Sequence, residues 1–196
     1  EQIVINESKK HGIKLALLQH GVYYDTKEAK ETNLSKGLYP VKSDKFLIWG
    51  KVSESDSKNN GFIEPTKLKI IGHPGYDSWK PTSIHKDTSC VLLALSGPDY
   101  MFIQGHQVSD IIKFEKQLEQ ICKIVTSMKK KLIIKVHPSF LVFDFSKMIK
   151  KISSDIEVIS TGSIMELINS CDVMIATNYT TAILESYLLQ KPVICL

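Results

Sequence analysis

The sequence lacks long apolar segments and any marked excess of one charge. No uninterrupted apolar run approaches the roughly 18 residues of a membrane-spanning helix, so we expect no integral membrane protein. The 25 basic and 21 acidic residues give a net charge of only +4. The one basic cluster, Lys129-Lys130-Lys131, is typical of a helix C-terminus. A nucleic-acid-binding protein needs a denser basic stripe, and we therefore expect no nucleic-acid partner.

Paired cysteines are missing as well. Cys90, Cys122, Cys171 and Cys195 lie far apart and form no CxxC motif, whereas zinc ligands come at short spacings. We therefore expect no metal site. Cys122 lies in a helical pattern and the other three in apolar runs, which predicts buried, reduced thiols in a reducing, cytoplasmic compartment.

Short apolar runs alternate with helical patterns along the 196 residues. Near-continuous apolar runs, typical of parallel strands buried on both faces, predict strands at 13–19, 44–50, 68–72, 89–95, 132–136, 156–159, 171–176 and from 193 onward. Helices are predicted at 51–61, 111–128, 140–152, 163–169 and 181–189, the second carrying apolar residues three and four apart from Ile111 to Met128. This alternation predicts an α/β fold with doubly wound parallel sheets.

The chain is predicted to contain two domains and to be a fragment. A stretch rich in proline, glycine and polar residues follows residue 73, which predicts domains at 1–84 and 85–196. The sequence begins within a predicted helix and stops within the apolar run that starts at Val193. A complete domain seldom ends on an uncovered strand, so we expect the first domain to be incomplete at its N-terminus and the second at its C-terminus.

Distinctive residues follow the predicted strands, at the sheet edge where ligands of such folds bind. We expect one set to line a substrate cleft and another to contact a donor molecule. The first set is His20, Gly21, Gly72, His73, His137 and Pro138, and the second is Gly162, Ser163, Thr180, Thr181 and Glu185.

Each of these residues also has an ordinary structural interpretation. A histidine at a strand end is commonly a surface residue, a proline there stops the ladder, and a threonine caps a helix. Ser163 and Glu166 have capping-box spacing. The combination is more informative, because a helix N-terminus with two hydroxyls and free N–H groups suits an anion. With a carboxylate one turn further on, it predicts a nucleotide with phosphates at Thr180 and Thr181 and ribose at Glu185.

Four passages, taken in order, resemble a known family. They are LQHG at 18–21, SDKFLIWG at 43–50 leading to IIGHPGYD at 70–77, KVHP at 135–138, and the stretch from CDVMIA at 171–176 through TTAILE to KPVI at 191–194. The chain resembles a fragment of a GT-B-fold transferase, similar to CDP-glycerol glycerophosphotransferases and to capsular or surface-polysaccharide glycosyltransferases. The resemblance implies two Rossmann-like domains with an active site in the cleft between them. Residues 1–84 correspond to part of the acceptor-side domain and 85–196 to the nucleotide-donor domain.

The resemblance also implies roles for single residues. The HG histidine corresponds to His20 as a general base for the acceptor hydroxyl, which suits an imidazole. The HP histidine corresponds to His137, which would stabilise charge on the leaving phosphate from the opposing wall of the cleft. Thr180 and Thr181 match the family's hydroxyl pair, and Glu185 its nucleotide-facing acid. The resemblance implies no metal and no cofactor, because the nucleotide-activated donor is a substrate.

The chain departs from the glycerophosphotransferases in two places. It has TNYTT at 177–181 where that family usually has Asp-Tyr-Ser-Ser, and it has no arginine at 73–77. A nucleotide sugar, including a CMP-linked acid, is therefore as plausible a donor as a CDP-polyol such as CDP-glycerol. Lys135 and Lys191 are either sources of positive charge or ordinary surface lysines.

Other functions of the same fold class stay open. A UDP-N-acetylglucosamine 2-epimerase is one, although Leu184-Glu185 stands where that family has a Glu-Glu pair. A non-catalytic nucleotide-sugar-binding scaffold is another, and a Rossmann dehydrogenase is disfavoured because no GxGxxG follows a strand. We expect transfer of a sugar or polyol-phosphate unit to a growing cell-surface glycan. A lipid-linked acceptor would bring peripheral contact with the cytoplasmic face of the membrane.

Overall fold

The computed structural model divides into two compact units, residues 1–80 and 81–196. It describes residues 2–22, 27, 31, 41–59, 63–77, 89–95, 108–137, 146–177 and 180–196. The predicted domain boundary after residue 84 lies outside the described residues. Within them, no helix is long and apolar enough to cross a membrane.

The first unit is built on a parallel three-stranded sheet. Its strands β1 (Ala16–Leu18), β2 (Lys45–Ile48) and β3 (Leu68–Ile70) lie in the order β1-β2-β3, and Phe46 is in register with both Leu17 and Leu68. Helix α1 (Gln2–Lys10) precedes β1, and α2 (Lys51–Asn59) follows β2. A small core packs against the sheet and consists of Val41, Phe46, Ile48 and Ile63.

The first predicted strand differs most from the structure. Of the run at 13–19, only Ala16–Leu18 is strand, and Ile13 is 57% and Leu18 46% exposed. The prediction of burial on both faces was wrong because, among the described residues, β1 pairs with β2 alone and so forms a sheet edge. Helix α2 ends at Asn59, and residues 60 and 61 of the predicted helix lie outside the described residues.

The second unit holds a parallel five-stranded sheet of doubly wound topology. Its strands are β4 (Cys90–Leu95), β5 (Lys131–Val136), β6 (Glu157–Ile159), β7 (Val173–Ala176) and β8 (Val193–Cys195). They lie in the order β6-β5-β4-β7-β8, all parallel. Counted from β4 this is the 3-2-1-4-5 order of a Rossmann sheet, which confirms the predicted α/β fold. The chain reverses its winding between β4 and β7, where such folds bind ligands.

The core of the second unit lies between the sheet and its amphipathic helices. These are α3 (Val108–Ser127), α4 (Ser146–Ile152), α5 (Ile164–Ser170) and α6 (Thr181–Leu188). All six residues of β4 are buried, and Leu118, Cys122 and Val125 of α3 cover one face of the sheet. Each fully buried leucine or isoleucine contributes about 1.5–3 kcal/mol relative to exposure. Helix α3 thus packs against the sheet with the face that its apolar spacing predicts.

Several predictions at element ends were wrong. Met128, placed on the apolar face of α3, lies beyond the helix and is exposed. The helix predicted at 140–152 is described only from Ser146 onward. The last strand, expected to be buried, is β8 at an edge of the described sheet, where Ile194 and Cys195 are exposed. Within the described residues β8 has a neighbouring strand on one side only, and its exposure in this chain follows from that.

Two cysteines far apart in sequence meet in the second unit. Cys90 at the start of β4 and Cys171 just before β7 place their Sγ atoms 2.9 Å apart in a buried position. The hydrogen bond to Cys171, together with burial, raises the pKa of Cys90. Burial raises the pKa of Cys122 to about 11. Three thiols are thus buried as predicted, whereas Cys195 is exposed.

Candidate functional site

A cavity of about 220 Å³ opens at the carboxyl edge of the five-stranded sheet. The ends of β4 and β5 and the start of α6 line it, so it lies at the point where the winding reverses. Among its lining residues are five predicted site residues and one lysine, namely His137, Gly162, Thr180, Thr181, Glu185 and Lys135.

Two other predicted residues of this unit are not part of that lining. Ser163 is exposed and stands at the N-cap of α5, but its side chain makes no capping hydrogen bond. The capping box predicted for Ser163 and Glu166 is therefore wrong: the serine has the extended backbone angles usual at an N-cap, but its side chain leaves the helix N–H groups without its oxygen. Pro138 lies outside the described residues. The turn before α5 instead contributes Gly162, whose φ of +82° favours glycine.

The N-terminus of α6 presents hydroxyls to the cavity. Thr180 is the N-cap, and its Oγ1 accepts a hydrogen bond from the Ala182 N–H at 3.4 Å. The Ile183 N–H donates to the Thr180 carbonyl at 3.2 Å. Two of the N–H groups expected to be free are therefore engaged, because the threonine caps its own helix. The Thr180 hydroxyl hydrogen is still able to donate, since capping uses only an oxygen lone pair.

Helix α6 is held so that Thr181 and Glu185 face the cavity together. Ala182 and Ser186 are buried against the sheet, and Ser186 Oγ donates to Met174 Sδ of β7 at 3.3 Å. Thr181 and Glu185 are four residues apart, one helical turn, and both are half-buried cavity residues. Because Ala182 and Ser186 face the sheet, the adjacent residues Thr181 and Glu185 face the cavity.

Lys135 and Lys191 are both buried, so their interpretation as surface lysines was wrong. Lys135, near the end of β5, donates from Nζ to the Ser160 carbonyl at 2.9 Å, and burial lowers its pKa. Lys191 precedes β8 and donates to the Cys171 carbonyl at 2.7 Å, at the amino edge of the sheet. Only Lys135 lines the cavity.

In the first unit, the predicted residues lie at the carboxyl edge of the three-stranded sheet. His20 follows β1 and is exposed. The neighbouring Gln19 is 3% exposed, donates from Nε2 to the Gly21 carbonyl at 2.9 Å and accepts from the Trp49 N–H at 2.8 Å. Sequence reasoning missed this glutamine, whose hydrogen bonds connect the residues that follow β1 and β2. The burial of Gln19, two residues before Gly21 with its φ of +82°, depends on the tertiary structure and leaves no pattern in the sequence.

His73 is built into a turn after β3. Its Nδ1 accepts from the Gly75 N–H at 3.1 Å, its ring stacks on Tyr76 with centroids 3.8 Å apart, and Trp49 meets it edge-on at 4.2 Å. Gly72 before it has a φ of +80°. His73 and Gly72 thus share a sheet edge with His20. The predicted opposition of His20 and His137 across a cleft stays a prediction.

The cavity's charged lining residues in the described part of the chain are one lysine and one glutamate. Within the described ranges, no three His, Cys, Asp or Glu side chains converge closely enough to hold a metal ion. The metal-independent chemistry implied by the resemblance stays a prediction.

The sequence matches LIC12162 family transferases over residues 1–196. The chain belongs to this family. No curated protein matches it in sequence. The fold of this LIC12162 family transferase is similar to solved structures. The glycotransferase of kitacinnamycin has a TM-score of 0.54 at 9% identity, with 98% of this chain and 54% of that chain covered.

Two further structures are similar to the same extent. Anabaena HepE, in complex with UDP and glucose, has a TM-score of 0.53 at 14% identity, covering 99% of this chain and 55% of that one. The wall teichoic acid polymerase TagF has a TM-score of 0.54 at 12% identity, with 94% of this chain and 49% of that chain covered. The chain spans about half the length of these structures. At these identities the likeness shows the fold alone, which is of the GT-B type with Rossmann-like units.

Proposed function

We propose that this LIC12162 family transferase moves a glycosyl or polyol-phosphate unit from a nucleotide-activated donor to a glycan or lipid-linked acceptor during cell-surface polysaccharide synthesis. One observation carries the proposal: the cavity at the reversal point of the sheet gathers His137, Gly162, Thr180, Thr181 and Glu185. HepE, which has a similar fold, was crystallised with UDP and glucose, and TagF is a polymerase of wall teichoic acid. We extend the nucleotide-donor class of substrate to this chain.

The donor phosphates are assigned to the start of α6. The Thr180 hydroxyl, which already accepts from the Ala182 N–H, donates its hydrogen to a phosphate oxygen, and the partial positive charge of the helix N-terminus favours an anion there. Thr181 supplies a second hydroxyl. Glu185, one turn further along the cavity wall, accepts hydrogen bonds from the ribose hydroxyls.

Catalysis is assigned to the two histidines. His137, directly after β5, donates a hydrogen bond to the phosphate that gains negative charge as the donor bond breaks. His20 accepts the proton of the acceptor hydroxyl as general base, and its exposure suits contact with a large acceptor. On this proposal the second unit binds the donor and the first unit the acceptor, at the cytoplasmic face of a membrane.

The cavity is sized for only part of a donor. Its volume of about 220 Å³ is below the roughly 300–1,000 Å³ of a typical ligand site. We therefore assign the phosphates and the ribose to it, and the base and the transferred group to surfaces beyond it.

Thermal denaturation of the full-length protein with CDP-glycerol, CMP-sugars, UDP-sugars and GDP-sugars tests the proposal. One nucleotide class should raise the melting temperature, because a ligand at 100 times its Kd stabilises the folded state by about 2.7 kcal/mol. In Glu185→Ala the shift should shrink at the same ligand concentration, while Glu166→Ala, an exposed residue of α5, serves as the control. No shift with any donor at millimolar concentration would contradict donor binding.

Product analysis separates the proposed transfer from the alternatives. Transfer predicts release of free nucleotide that depends on an acceptor and continues in EDTA. An epimerase would incorporate solvent deuterium at a sugar carbon, and a binding scaffold would hold the nucleotide sugar without turnover.

A further inference from the structure

Every one of the 25 basic residues of this sequence is a lysine, since it contains no arginine. Arginine is the side chain most often used for bidentate phosphate contacts, so any permanently charged side chain that meets phosphate in these residues is a lysine. Among the described residues only two lysines are buried, Lys135 at 7% and Lys191 at 8% exposed. The remaining described lysines are exposed or half-exposed.

The two buried lysines make the same contact at opposite edges of one sheet. Each donates from Nζ to a single backbone carbonyl, Lys135 to that of Ser160 and Lys191 to that of Cys171. Ser160 follows β6 at the carboxyl edge, whereas Cys171 precedes β7 at the amino edge. Only Lys135 therefore shares the cavity with His137 and the threonine pair.

A buried ammonium beside an open cavity favours an anion. The carbonyl of Ser160 takes one of its three N–H donors and brings no charge. Desolvation lowers the pKa of Lys135, which means that the surroundings disfavour its charged form. A phosphate in the cavity supplies the opposite charge and so stabilises the ammonium.

We propose that Lys135 binds the diphosphate of the donor in this cavity and is the principal cation for it among the residues that the structure describes. The inference rests on the proposed function and adds a residue to it. The ammonium, held by Ser160, points a compact positive charge at the phosphates and offsets the negative charge that the departing nucleotide gains.

Isothermal titration of the full-length protein with UDP, CDP and GDP, and ligand-observed NMR with the corresponding nucleosides, test Lys135→Gln against Lys191→Gln. Glutamine retains a donor for the carbonyl and removes the charge. Lys135→Gln should weaken diphosphate binding about 10- to 100-fold, the usual effect of losing a charged hydrogen bond, and leave nucleoside binding unchanged. Lys191→Gln should lower the melting temperature and leave diphosphate affinity unchanged.

The outcomes distinguish this inference from the function on which it rests. Equal losses for diphosphate and nucleoside in Lys135→Gln, or equal effects of the two variants, would make Lys135 a structural residue and overturn the inference alone. Failure of the wild-type protein to bind UDP, CDP or GDP would overturn the inference, and the proposed function would fail with it if no nucleotide donor, CMP-sugars included, raises the melting temperature. If Lys135→Gln does not fold, Lys135→Met, which matches the length of the alkyl chain, serves the same comparison.

Discussion

Thr180 has two assigned roles that substitution can separate. Its Oγ1 caps α6 by accepting from the Ala182 N–H, and its hydroxyl hydrogen is proposed to contact a donor phosphate. Thr180→Ala removes both roles and Thr180→Ser retains both. Thr180→Asp retains the cap, because aspartate is a favourable N-cap residue, but introduces a negative charge where the phosphate is expected.

General magnitudes for caps and for charge pairs set the expected size of each effect. Loss of the cap in Thr180→Ala should reduce the free energy of unfolding by about 1 kcal/mol. A carboxylate about 4 Å from a phosphate costs roughly 1 kcal/mol in water and 4 kcal/mol at the effective dielectric of a protein surface. Thr180→Asp should therefore bind the diphosphate roughly 5- to 1,000-fold more weakly while its stability stays near that of the wild type.

Urea denaturation of the free protein measures the stability, and isothermal titration with UDP, CDP and GDP measures the affinity. We expect the variants to rank differently in the two measurements. Thr180→Ala should be the least stable variant, and Thr180→Asp should bind the diphosphate most weakly. If Thr180→Asp binds the diphosphate as tightly as the wild type, the phosphates do not lie at the start of α6. Unchanged stability in Thr180→Ala would refute the capping role.

The remaining predictions concern His20, Glu185, Gly162 and Cys122. His20→Ala should abolish transfer with donor affinity retained, and Glu185→Ala should weaken donor affinity about tenfold or more, both read from initial rates and titration; the reverse result would overturn the assigned roles. Gly162→Ala should cost about 1 kcal/mol in urea denaturation because its φ is +82°, and an unchanged midpoint would contradict that strain. At pH 8 the thiol reagent DTNB should label Cys122 only after denaturation, because the thiol is buried and its pKa of about 11 leaves about 0.1% thiolate; rapid labelling of Cys122 in the folded protein would refute its burial.

The central strands of the second unit were predictable because a strand buried on both faces has a near-continuous run of apolar residues. The apolar runs at 89–95 and 132–136 differ from β4 and β5 by one residue each. The run at 13–19 looks the same in sequence but yields a three-residue strand that, within the described residues, has a neighbour on one side only. The difference lies in the number of neighbouring strands, which the residues of the run itself do not encode.

The grouping of most candidate site residues followed from one topological rule. Parallel strands end at a common edge, so residues that follow different strands, such as His137 and Thr180, come together without being near in sequence. Ser163 shows where the rule stops. Its place before a helix was predictable, whereas the absence of its capping hydrogen bond was not, since Ser163 and Thr180 both have extended backbone angles and only Thr180 caps its helix.

The sequence by itself determined the alternation of strands and helices, and with it the edge of the sheet where the polar residues collect. Only the tertiary structure decided that Lys135 lines the cavity while Lys191, equally buried, lies at the opposite edge. It likewise decided that Cys90 meets Cys171. The physical reason is that the apolar spacing of a segment indicates which of its residues are buried. The residues that bury them belong to other elements, dozens of positions away in sequence.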